Sequence, residues 1–219
     1  MNDLRTAGRG FALCLLGVYV IQLSSNFLLQ PGLRAGGGAA AQPALLGSIV
    51  LLGLLSGVIE LAGAALLVRT LDGRAGRTTA LLYLGLCSAG LAASLAEHGM
   101  LLAMRDVGQA AGAMPGIDGT VQQQLLSYLR NGVHFQRMVL GGASVLVFFA
   151  LAWHTGLLPR ALAVLGIGAA AAQMAGVSAA LLGGEVMMLL LAPLLALHLV
   201  SAVWLLLRGF RGDQPLRLT

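Results

Sequence analysis

Arg130, His134 and Arg137 follow one another at i, i+4 and i+3, a spacing that puts all three on one face of a helix. Guanidinium groups arranged this way hold a carboxylate or a phosphate. An imidazole between them exchanges a proton near neutral pH. Glu97 is the carboxylate that can meet them. It lies in the preceding apolar run, roughly 10 Å inside the end marked by Met104, counting 1.5 Å of rise per residue. Arg137 lies roughly 9 Å inside the next run, counted from Asn131. Consecutive antiparallel runs touch, so Glu97 and Arg137 are expected within direct or one-water contact, with His134 lining the same space. Asn26, late in the first run, falls at a similar level. Glu97, His134, Arg137, Arg130 and Asn26 are therefore the candidate ligand-binding residues. The plainer alternative is an ion pair that only keeps two helices in register.

A second set lies deeper. Glu60 and His198 fall near the middle of their runs, as does Gln173. Ser56, Gly57 and Ala64 leave space beside Glu60. An ionisable group at such a depth costs at least a few kcal/mol in hydrocarbon, which makes each a functional hypothesis. The simpler reading of His198 is a core histidine bonded to backbone or to Glu60. His98 is expected at an interface, pointing away from its neighbour Glu97, and His154 at a wetted boundary. His98 and His134 are weak candidates for haem or metal ligation, and Met100, Met104, Met187 and Met188 for a soft ion.

The elements that must carry these residues are six apolar segments, at about 10–29, 45–68, 79–104, 131–154, 161–182 and 186–207. Each is long enough for a helix to cross about 30 Å of hydrocarbon, and none alternates as a barrel strand does. Between them stand turn signals: Pro31 with Gly36–Gly38 and Pro43, Asp72-Gly73 with Gly76, Pro115-Gly116 with Asp118-Gly119, Pro159, and Gly183-Gly184. Of the 219 residues 58% are hydrophobic and 10% charged, and the mean hydropathy is +0.89. That composition excludes a soluble globular domain and leaves no polar stretch for a second one. The expected fold is all-α, a single polytopic transmembrane bundle of six helices.

The net charge of +5 comes from 13 arginines and no lysine, spread between the apolar runs. That pattern argues against nucleic acid and for topology signals and contacts to anionic lipid headgroups. Nine arginines (5, 9, 69, 74, 77, 160, 208, 211 and 217) fall on the side of the termini, against Arg34 and Arg105 opposite. Both termini are expected in the cytoplasm of a bacterium, with the chain in its inner membrane and the polar groups descending from the outer face. Cys14 and Cys87 sit inside apolar runs without a CxxC spacing, which argues against a disulfide or zinc. Gly53 and Gly57 form a small-residue pair, and the Ala169–Ala172 stretch another; both suit packing within one bundle or a homodimer face.

Gly156-Leu157-Leu158-Pro159-Arg160 between the fourth and fifth runs, His134 early in the fourth, and Trp204-Leu205-Leu206-Leu207-Arg208-Gly209-Phe210 closing the sixth resemble a bacterial membrane family grouped as domain of unknown function 4386. The resemblance is clearest over 125–212. The first run departs from it with Gln22, Ser24, Ser25 and Asn26. It implies a six-span fold and no activity. The functional reading is a multi-pass protein with an outer-half pocket for a small or lipid-like ligand carrying an anionic group. The cofactor is unknown, and no nucleophile motif such as GxSxG marks a reaction. The alternatives are an accessory or sensor subunit with a membrane-protein partner, a haem or metal protein, and a proton-coupled transporter working through Glu60 and His198.

Overall fold

The computed structural model describes residues 2–35, 41–113 and 119–210. The triglycine at Gly36–Gly38, Pro115, Gly116 and Asp118, and Arg211 and Arg217 lie outside the described residues. Six long helices make the fold: α1 (Asn2–Ser24, continued by a π-helical turn at Ser25–Leu29 and by α2 at Gln30–Ala35), α3 (Pro43–Thr70), α4 (Arg77–Ala113), α5 (Gly119–Thr155), α6 (Arg160–Leu181) and α7 (Ala192–Arg208). Among the described residues there is no strand.

Each helix packs on its neighbours in the chain, and α7 returns to pack on α1. Among the described residues no backbones meet across the middle. The result is a closed ring of six helices, up and down in turn, around a central space. Leu51, Leu82, Leu165 and Val200 point outward and are exposed. An apolar exterior around a partly polar interior is the distribution a lipid solvent selects.

Five of the six helices are long and apolar enough to cross a membrane; α7 is shorter. Several boundaries differ from those the apolar runs imply. The first helix extends to Ala35, past the polar Ser24-Ser25-Asn26 group, by widening into a π turn that keeps the backbone bonded. Of the expected loop at 105–121, residues 105–113 extend α4 and 119–121 begin α5, where the alanines of the first stretch and Gln122, Gln123 and Gln124 just beyond the second are good helix formers. With 37 residues each, α4 and α5 are about 55 Å long, well beyond a 30 Å hydrocarbon layer. The sixth run starts late. Residues 182–187 form a turn and extended link, Met188–Leu190 one 3-10 turn, and α7 begins at Ala192 with Pro193 in its first turn.

The end that carries the termini is closed. Phe11 reaches across the ring to Phe148, with ring centroids 5.0 Å apart, and to Tyr83 at 6.4 Å. Phe210 joins Phe11 at 5.8 Å. Two glycines with left-handed backbone make this possible. Gly209 (φ 69°) ends α7 and turns Phe210 inward, while Gly156 (φ 69°) lets the following Leu157 and Leu158 tuck under the bundle, where both are buried. These are the residues of the two motifs that carry the family resemblance.

Candidate functional site

A cavity of about 690 Å³ fills the ring, and every one of the six long helices contributes to its wall. Its floor is the aromatic plug of Phe11, Tyr83 and Phe148. At the far end it is lined by Asn26 and Asn131, both exposed, so that end is the mouth.

Glu97 of α4 lies between the mouth and the middle, with its side chain only 4% exposed. Three donors from one face of α5 converge on it. Arg137 Nη1 donates to Oε2 at 2.8 Å, and His134 Nδ1 to Oε1 at 3.0 Å. Arg130 Nη2 lies 3.4 Å from the same Oε1. The contact expected from equal depth on adjacent antiparallel helices is present, and His134 and Arg130 share its carboxylate. Two guanidiniums face one carboxylate, so the cluster keeps an excess of positive charge. Arg130 Nε is buried with no hydrogen-bond partner among the described residues, which leaves that guanidinium incompletely satisfied. Nδ1 of His134 is held by Glu97, in a ring that is 38% exposed.

Asn26 stands at the mouth on the π turn of α1, where its Oδ1 accepts from Gln30 Nε2 at 3.0 Å. It lines the cavity but is not bonded to the Glu97 cluster. Gln30 and Asn131 line the same rim, and the sequence alone did not single them out.

The deeper residues also face the cavity, but in different partnerships from those expected. His198 is buried and takes a hydrogen bond from the Tyr19 hydroxyl, while Phe149 stacks on its ring at 5.5 Å. Its partner is neither backbone nor Glu60. Tyr19 was not singled out because it lies on the first helix and His198 on the last, and only closure of the ring brings them together. Glu60 instead lies near Cys87, which is also within side-chain hydrogen-bonding range of Tyr83 and Ser144. Gln22 Nε2 donates to Ser56 Oγ at 3.4 Å, across the α1–α3 seam. Gln173 brings α6 into the lining. The polar groups therefore reach further toward the termini than the sequence implied, ending at Cys87 just above the aromatic floor.

His98 is corrected most. It is buried, not interfacial: its Nδ1 bonds the Ser94 carbonyl at 2.6 Å, and its ring packs against α3 at Gly53, where a Cβ would come within 2.3 Å of it. Gly53 and Gly57 are consumed by this packing, Gly57 facing Leu91 of α4. With His98 wedged between two helices and His134 bonded to Glu97, the two histidines are poorly placed to share a haem. Among the described residues no three metal-binding side chains gather. Cys14 and Cys87 are both free. They sit on α1 and α4, whose backbones do not approach within 8 Å, too far for a disulfide.

No curated protein and no solved structure matches this chain. A family model does, over residues 10–209, which takes in every helix of the ring and every residue of the cavity wall. This multi-pass membrane protein belongs to the family described as domain of unknown function (DUF4386).

Proposed function

We propose that the chain is a multi-pass protein of the bacterial inner membrane whose cavity binds a small or lipid-like ligand through an anionic group. The observation that carries this reading is the charge imbalance around Glu97, where Arg130 and Arg137 share one carboxylate on a cavity wall. A pair that served only to lock two helices would be satisfied by one guanidinium. Here the second is under-bonded and beside the mouth. The arginine bias puts the termini, and with them the aromatic floor, on the cytoplasmic side, so the mouth opens to the periplasm. Transport through Glu60 and His198 would need a route past Phe11, Tyr83 and Phe148, and a binding pocket needs none.

The test uses the purified protein in nanodiscs, titrated with a short-chain lysophosphatidic acid and with the uncharged monoacylglycerol of the same chain length. The anionic lipid is expected to bind at least about tenfold more tightly, the worth of about 1.4 kcal/mol from a charge-assisted contact. Arg130→Gln is expected to remove most of that preference. Equal affinity for the two lipids would overturn the proposal.

A further inference from the structure

Glu60 is the second carboxylate on the cavity wall, and its situation is the reverse of that of Glu97. Glu97 has two guanidiniums and an imidazole on it; Glu60 has no cation at ion-pair distance among the described residues. Arg137 acts on it only through space. Its near neighbour is the Cys87 thiol, which in turn adjoins Tyr83 of the aromatic floor, and Phe11, Tyr83 and Phe148 line the same cavity. A carboxylate beside aromatic rings at the end of a cavity is the arrangement that receives an ammonium group, through charge and cation–π attraction together.

The separation of the two poles is set by the helices. Gly53 of α3 lies against His98, next to Glu97 in the chain. Glu60 is two turns further along α3, about 10 Å deeper at 1.5 Å per residue. An anion and an ammonium joined by two carbons, with a hydrogen bond of about 2.8 Å at each end, bridge a gap of that size.

Resting on the anion site proposed above, we infer that the ligand is zwitterionic. Its phosphate or carboxylate is held by Arg130 and Arg137, and its ammonium reaches down to Glu60. A phosphoethanolamine group has this chemistry, either as a lipid headgroup with its acyl chain leaving through the mouth or as a free solute.

The experiment compares lysophosphatidylethanolamine with its N-acetyl derivative on the wild-type protein in nanodiscs. The derivative keeps the phosphodiester and the chain but loses the ammonium. The free amine is expected to bind about tenfold more tightly. Glu60→Gln should abolish that ratio while leaving affinity for the N-acetyl lipid within about twofold. If Glu60→Gln does not fold, the wild-type ratio alone decides. Equal binding of the two lipids in the wild type overturns the zwitterion inference and leaves the anion site standing. Failure of both lipids and of lysophosphatidic acid to bind overturns both. Free phosphoethanolamine competing at similar concentration identifies a solute; competition only by the lysolipid identifies a headgroup.

Discussion

Glu97 can be buried in a membrane bundle because Arg137, His134 and Arg130 all reach it. Loss of one partner of a buried charge pair strands the other at a cost of about 3–5 kcal/mol. Glu97→Gln, which leaves two guanidiniums without a carboxylate, is expected to lower stability by that order, and Arg137→Leu, which leaves Glu97 with Arg130 and His134, by less, read as the temperature at which the detergent-solubilised protein loses its monodisperse chromatographic peak. The double variant removes one charge of each sign but leaves Arg130 without its carboxylate, so it is expected to recover part of the loss. Recovery of anionic-lipid binding as well would show that the pair is purely structural. This cluster was legible in the sequence because its three basic members follow helical spacing on one element and the fourth member lies on the element before it. His98 was not: its burial depends on the missing side chain of Gly53 on another helix, and nothing near His98 in the chain records that.

At the scale of elements, α5 and α7 end where glycine permits a left-handed residue, and these two ends close the bundle beneath the floor. Phe210 follows Gly209, is 2% exposed and closes against Phe11. Phe27 sits on the π turn and is 72% exposed. Phe210→Ala is expected to cost about 3 kcal/mol or more, since it removes a buried aromatic from a packed cluster. Phe27→Ala should change stability by less than about 0.5 kcal/mol. Similar thermal shifts for the two variants would contradict the assignment of Phe210 to the floor. The number of helices was legible from hydropathy alone. Their lengths were not, because 105–113 and 119–130 are polar enough to read as a loop yet form helix by local propensity.

For the whole molecule, ring order follows chain order, so most neighbours were predictable once six apolar runs had been counted. The exception is the α1–α7 seam, which brings Tyr19 to His198 and Phe11 to Phe210. Placement in the bilayer follows from the arginines. Asp72 lies in the exposed α3–α4 turn at the termini end, and Glu185 in the exposed link before α7 at the mouth. With cysteine placed at each in turn, a membrane-impermeant maleimide added to intact cells is expected to label position 185 and to reach position 72 only after lysis. The opposite pattern would invert the proposed orientation and turn the mouth toward the cytoplasm.

The same seam has a consequence for how the protein is made. Of the two neighbours of α1, the ribosome delivers α3 almost at once and α7 only after the other helices of the ring. Until α7 arrives, Tyr19 lacks its histidine and one wall of a polar interior stands open to lipid. The arrival of α7 is therefore the latch. A chain halted before Ala192 carries Glu60, Glu97 and the arginines of the wall but lacks the helix that shuts the ring, and leaves an open gutter of polar side chains instead of a sealed vessel.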